Sequence, residues 1–356
     1  MSRINAFLEL AVKQGGSDLH LVSGQAPRIR IHGVLHKVRF RDLSVEDIER
    51  LLEEFMPESA REPYRERMAA DFAYAVEGLG RFRVNVSRHQ AGLSAVLRVI
   101  PNQVPDLASL RLPSAVSAVL EQPKGLVLVT GPTGAGKSTT LAAMIDHLNR
   151  TRKGHIVTIE DPIEHVHEYK SCVVTQREVG AHTPSFHEAL RAAVREDPDV
   201  IMVGELRDRE TMALALTAAE TGIQVLGTLH TNGAVRTVDR LVNAFPAARQ
   251  DQIRVLLADS LRLVVSQQLV RTADEASRMA VAEVLVNTPA AAAVIRSGQS
   301  HKLLSVIQAG RRDGMQSLDS VLKDLVLSKK ISARDACERA VDRNQFEPYV
   351  VREDAA

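Results

Sequence analysis

Cysteine, aromatic residues, net charge and long apolar runs are all scarce in this chain, and each shortage excludes a class of protein. The two cysteines, Cys172 and Cys337, lie far apart in 356 residues and form no C-x-x-C pair. That fits a reducing compartment, supplies no sulfur-rich metal site, and leaves both as small buried residues. Lys and Arg total 45 against 44 Asp and Glu, a formal net charge of +1, so nothing in the total argues for nucleic acid or an anionic membrane as main partner. Only 3% of residues are aromatic, and no basic surface interleaved with stacking rings is visible, which disfavours a nucleic-acid motor. No apolar stretch approaches the roughly 20 residues that span a bilayer. No basic-then-apolar leader precedes the charged residues near Met1. The expectation is a cytoplasmic protein without direct membrane insertion, which meets a membrane only through a partner.

What is present is organised around Gly131-Pro132-Thr133-Gly134-Ala135-Gly136-Lys137-Ser138, a match to the phosphate-binding pattern G-x-x-x-x-G-K-[ST]. It follows the β-branched run Leu126–Thr130 and precedes Thr139 to Leu148, where apolar residues recur at helical spacing. In the order strand, glycine loop, helix, backbone N–H groups close around a triphosphate at a helix N-terminus, where the dipole favours negative charge. Lys137 then reaches the β- and γ-phosphates, Ser138 holds Mg²⁺, and the loop through Thr139 binds ATP. A glycine turn without function is the competing explanation, and the matching strand and helix weigh against it.

The length prior suggests about two domains. Residues 1–100 read as a small α+β domain: a helix from Ile4 to Gln14, a hairpin through Arg28-Ile29-Arg30-Ile31-His32 and Val34 to Phe40, a capped helix opening at Ser44, and alternating stretches at Asp71 to Val76, Arg81 to Val86 and up to Ile100. Pro101 to Pro105 breaks every periodicity, placing a linker over 101–112. From 113 to 356 strands and helices alternate, at Leu126 to Thr130, Gly154 to Glu160, Val200 to Glu205 and Gln224 to Leu229, as in a parallel sheet covered by helices. After Pro246 the pattern turns mostly helical, through Gln250 to Leu269 and Leu318 to Leu327, with one strand at Met279 to Val286.

Polar clusters fall at the ends of these strands, where ligands bind in open parallel sheets. Glu160-Asp161-Pro162-Ile163-Glu164 offers carboxylates to orient an attacking water, or is a solvated acidic turn. Glu205 ends an apolar strand, as the Mg²⁺-facing acid of phosphate-loop enzymes does, and Arg191, Arg195, Arg207 and Arg209 flank it. His230 ends another strand, where it senses a γ-phosphate or is structural. Arg81 and Arg83 share one sheet face, with Arg98 on a further strand. That face either is solvated or docks on a neighbouring subunit's nucleotide and supplies arginines in trans.

Taken together, Gly16-Ser17-Asp18-Leu19-His20-Leu21, the phosphate loop, Thr158-Ile159-Glu160-Asp161-Pro162-Ile163-Glu164, Val203-Gly204-Glu205-Leu206-Arg207-Asp208 and Thr228-Leu229-His230-Thr231 resemble the type IV pilus retraction ATPases of the PilT/PilU group, within the secretion ATPase superfamily. The resemblance covers nearly the whole chain. It implies a PAS-like N-terminal domain and a RecA-like phosphate-loop domain, assembled as a homo-hexamer with ATP between subunits. By position, Glu164 is then the catalytic carboxylate, Glu205 supports Mg²⁺ and His230 is the second histidine of its box. The implied partners are an inner-membrane platform protein of the pilus and a paralogous retraction ATPase. Two departures stand out. Ile223 replaces the usual first histidine after Glu220-Thr221-Gly222, which leaves open an accessory ring subunit that hydrolyses ATP weakly. In Ala291–Ser297 only Ile295-Arg296 keeps the retraction-motor pattern, and the branch stays unassigned. A pilus-assembly or type II secretion ATPase usually carries a longer N-terminal region and a four-cysteine zinc motif, neither of which is seen.

Overall fold

In a computed structural model, which describes residues 2–31, 33–100, 104–274 and 277–354, the chain forms two units. His32 of the expected hairpin and linker residues 101–103 lie outside the described residues. The first unit runs through Val104 and includes Asp161–Val166 and Glu178–His182; the second holds Pro105–Glu160, His167–Arg177 and everything from Thr183.

Six strands build the sheet of the first unit: β1 (Asp18–Val22), β2 (Arg28–Ile31), β3 (Val34–Lys37), β4 (Ala69–Val76), β5 (Gly80–His89) and β6 (Gly92–Ile100). They pair antiparallel in the order β3-β2-β1-β6-β5-β4. Strand alternation puts Phe82, Val84 and Val86 on the buried face with Ala95 and Leu97 of β6. The helices Arg3–Lys13 and Val45–Phe55 close that face with Ile4, Leu8, Ile48, Leu52 and Phe55. Each fully buried aliphatic side chain of this kind contributes roughly 1.5–3 kcal/mol. The capping box expected at Ser44 is formed: its hydroxyl accepts from the Asp47 N–H at 3.2 Å, and the Asp47 carboxylate accepts from the Ser44 N–H at 2.8 Å.

On the other face the strand register sets one acid between two bases. Asp18 lies opposite Arg30 on β2 and Arg98 on β6, and its carboxylate accepts from Arg98 Nε at 2.8 Å and stands 3.8 Å from Arg30 Nε. Burial raises the Asp18 pKa, but the bonds from Arg98 and Ser17 outweigh it and hold the carboxyl below its ordinary value. The stabilisation is therefore present above the ordinary Asp value of 3.8 and is lost as pH falls through the lower folded-state value. Replacing Asp18 with Asn should destabilise this unit by about 1 kcal/mol at neutral pH. In thermal unfolding across an acid series, the gap between variant and wild type should close toward low pH; a gap that persists there contradicts the assignment.

The second unit is built on seven strands: β7 (Gly125–Thr130), β8 (His155–Glu160), β9 (Val173–Glu178), β10 (Val200–Val203), β11 (Gln224–Leu229), β12 (Leu261–Arg271) and β13 (Arg278–Val286). Their order is β13-β12-β7-β11-β10-β8-β9. The run from β12 to β8 is parallel and β13 pairs antiparallel with β12. Strands β7, β10 and β11 are buried along their whole length, which explains their continuous apolar sequences. This is the expected α/β fold, a RecA-like domain with a smaller α+β domain. Because β7 lies between β12 and β11 while the chain crosses from β7 to β8, a crevice opens beyond its carboxyl end.

One expectation fails. The helix expected through Leu269 spans Ala247–Ser260, and Leu261 to Arg271 is the strand β12. Its Leu263-Val264-Val265 segment carries two β-branched valines and is fully buried between β7 and β13, so tertiary pairing overrides the helical pattern.

Candidate nucleotide-binding site

At the end of β7 the chain enters the phosphate loop through Gly131 at φ +140, with Gly134 at +78 and Gly136 at +87. A Cβ on Gly131 would run into the backbone carbonyl of Gln267, so only glycine fits there. Gly136 forms the N-cap of the helix Lys137–Thr151 and no side chain caps it. The first N–H groups of that helix face the loop, which is the arrangement that receives an anion. Pro132, Thr133, Gly134 and Ser138 are exposed, Thr139 is half-buried and Ala135 is buried.

Lys137 folds back over the loop. Its Nζ donates to the carbonyls of Gly131 (2.9 Å) and Pro132 (3.1 Å) and lies 3.5 Å from His230 Nδ1. His230 stands at the tip of β11, adjacent to β7 in the sheet. Its Nε2 is 3.3 Å from Glu205 Oε1, and the other Glu205 oxygen accepts from Arg207 Nε at 2.6 Å. An ammonium facing Nδ1 assigns the ring proton to Nε2, on the side of the carboxylate. Lys137, His230, Glu205 and Arg207 thus form a continuous polar chain across three strand ends. Asp208, next along, caps the helix Arg209–Thr221: burial raises its pKa, but bonds from the Thr211 N–H and hydroxyl outweigh it and hold the carboxyl down.

The acidic box is divided. Glu160, at the end of β8, is buried and accepts from Thr158 Oγ1 (2.7 Å) and Gln176 Nε2 (3.1 Å). Glu164 is half-buried in the segment Asp161–Val166 that groups with the first unit, where Ile163 N–H donates to Glu178. Arg81, Arg83 and Arg98 also belong to the first unit and share one sheet face, Arg83 directly opposite Arg98. Each already meets a carboxylate: Arg81 with Glu178 (3.8 Å), Arg83 with Asp71 (4.0 Å) and Arg98 with Asp18. Arg191 and Arg195 are exposed, and Arg209 pairs with Glu210. Ile223 precedes β11 at the end opposite His230, roughly 20 Å along the strand. Within this chain it does not adjoin the phosphate loop, so its apolar character leaves the Lys137–His230–Glu205 chain untouched.

Sequence reasoning missed the supports of the loop. Gln267, buried on β12, donates through Nε2 to the Ala135 carbonyl at 3.2 Å, and Thr237 joins Thr130 to Thr231 by hydroxyl contacts of 3.4 and 2.8 Å. The signal was there in Ser266-Gln267-Gln268, a polar run inside an apolar strand.

A family model described as Type II/IV secretion system protein matches residues 1–302. The chain belongs to this family. It is 47% identical over 337 residues to a Pseudomonas aeruginosa protein named Type IV pilus retractation ATPase PilT, covering 95% of this chain and 98% of that one. It is 42% identical over 339 residues to the same organism's Type IV pilus ATPase PilU, covering 95% and 89%. Among solved structures, the pilus retraction motor PilT with bound ADP superposes with a TM-score of 0.90 at 42% identity, covering 97% of this chain and 99% of that one.

Gly131→Ala should lower affinity for a fluorescent ADP analogue at least tenfold, because the added methyl group displaces the loop from β12. Wild-type affinity in that variant would show that the nucleotide does not bind through this loop.

Proposed function

We propose that this chain is an ATPase that powers type IV pilus retraction, working as a homo-hexamer with ATP between subunits. The observation that carries the reading is the Lys137–His230–Glu205 chain across the phosphate-loop end of the sheet. It links the residue that meets phosphate to the strand-end acid through a histidine.

In this reading the phosphate loop, Gly131 to Thr139, wraps the β- and γ-phosphates, and Lys137 leaves the Gly131 and Pro132 carbonyls to reach them. His230, released from Lys137, then senses the γ-phosphate. Ser138 and Glu205 are hard oxygen donors that suit Mg²⁺, which when bound neutralises phosphate charge. Glu164 orients the attacking water. Arg81, Arg83 and Arg98, on one face of a six-stranded sheet, come from a neighbouring subunit to meet charge on the transferring phosphoryl group, exchanging their present carboxylate partners for it. The proposed division has the PAS-like domain at 1–100, a linker acting as hinge at 101–112 and the ATPase domain at 113–356, with Asp161–Val166 and Glu178–His182 of that last stretch grouping with the first unit. Domain rotation driven by the nucleotide cycle would be passed to an inner-membrane platform protein and remove pilins from the fibre. The motor would meet the membrane from the cytoplasmic face through that platform protein. Among the described residues no helix is long and apolar enough to cross a membrane. A paralogous retraction ATPase is a further partner. Ile223 lies away from the phosphate loop of its own chain, which weighs against a weakly hydrolysing accessory subunit.

The test is steady-state ATP hydrolysis with particle mass measured in the same samples. Hydrolysis by a six-subunit particle, reduced at least a hundredfold in Glu164→Gln with ATP still bound, is the expected result. Equal turnover in the variant would remove Glu164 from the mechanism, and a monomer that hydrolyses at full rate would remove the ring.

A further inference from the structure

The loop that carries His230 is held from behind by a buried acid that the proposed chemistry does not use. After His230 the chain passes through Thr231 and Asn232 to Gly233, at φ +91, and enters the helix Ala234–Asn243 without a side-chain cap of its own. Two successive N–H groups at that turn find acceptors on the sheet instead. Gly233 N–H donates to Ser266 Oγ at 2.7 Å, and Ala234 N–H donates to Glu283 Oε1 at 2.8 Å. Ser266 and Glu283 are direct cross-strand partners on β12 and β13, so one rung of the sheet receives both donors.

Glu283 is only 4% exposed, and no Lys, Arg or His among the described residues pairs with it. Burial pushes its carboxyl above the ordinary value; the Ala234 and Leu318 N–H groups offset part of this, and nearby Asp319 adds to it. An acid kept in such a place has to be held by what it binds. The bridge between Val284 and Gln316 fixes the loop before the helix Leu318–Leu327 to β13. The Glu283 carboxylate therefore ties the His230 turn to the strand on which that C-terminal loop is also anchored.

We propose that Glu283 is a positioning residue for the nucleotide site, fixing the turn after β11 so that His230 stays between Lys137 and Glu205. The proposal rests on the reading of that chain as the ATP site. It requires that loss of Glu283 misplace His230 without opening the phosphate loop, which is built on β7 and Gln267.

The full-length chain and its Glu283→Ala, Glu283→Gln and Ser266→Ala variants would be compared in three measurements: ATP turnover, affinity for a fluorescent ADP analogue, and the position of the His230 ring signals in ¹³C-histidine NMR spectra at one fixed pH. Glu283→Ala should lower kcat at least tenfold while ADP affinity stays within about threefold. Glu283→Gln, whose amide oxygen still accepts the Ala234 N–H, should recover most of the rate, and Ser266→Ala should fall between. The His230 ring signals should move in Glu283→Ala and keep the wild-type position in Glu283→Gln. Wild-type kcat and unmoved His230 signals in Glu283→Ala would overturn the proposal. So would equal losses of rate and ADP affinity that Gln fails to rescue. If the wild-type chain itself does not turn over ATP, the ATPase reading fails separately, and the His230 ring signals still decide the positioning role.

Discussion

The nucleotide site depends on one steric constraint, the contact between Gly131 and the backbone carbonyl of Gln267. Strand β7 is central, with β12 on one side and β11 on the other, and the loop that leaves it has to turn sharply against β12. With a hydrogen atom in place of a side chain, the turn can be made. Gln267 then reaches from the same strand to the Ala135 carbonyl and fixes the middle of the loop, which sets the start of the helix at Lys137. Everything at the site is measured from that start: the direction of the helix dipole, the reach of Lys137 and its distance from His230.

Around this point the parallel sheet gathers polar groups that the sequence scatters over some hundred residues. Glu205 and His230 share a location only because β10 and β11 are neighbours in register, and β11 lies in turn against β7. A lysine ammonium bound to neutral carbonyl oxygens can be drawn away by a phosphate at little cost, since an acceptor that is itself charged replaces uncharged ones. The first unit follows a different logic. Its arginines are spread on a sheet face and each is matched to an acid, so any part they take in binding is an exchange of partners.

Much of this was legible in the sequence, for physical reasons that can be named. The buried strands of the second unit read as continuous apolar runs and the glycine pattern has few alternatives, so the strand, loop and helix from Gly125 to Thr151 were clear. The capping box at Ser44 is local chemistry and was equally plain. The strand at Leu261–Arg271 was not, because its period fits a helix until β7 and β13 are placed on either side. Ser266, Gln267 and Glu283 were missed: a polar residue inside an apolar strand is a visible signal, but the backbone groups these three meet across the fold are not written in any spacing. Ile223 stands where the family has the first histidine of its box, and the strand direction puts it at the end of β11 opposite His230.

The central claim is that ATP turnover at this site drives retraction of a pilus. The direct test is to image single pili in cells lacking their own retraction ATPases and supplied with this chain. The account predicts that pili shorten when the wild-type chain is present and stay extended with Lys137→Ala. Pili that remain static while the purified chain hydrolyses ATP at a normal rate, in a strain whose own motor restores retraction, would contradict it.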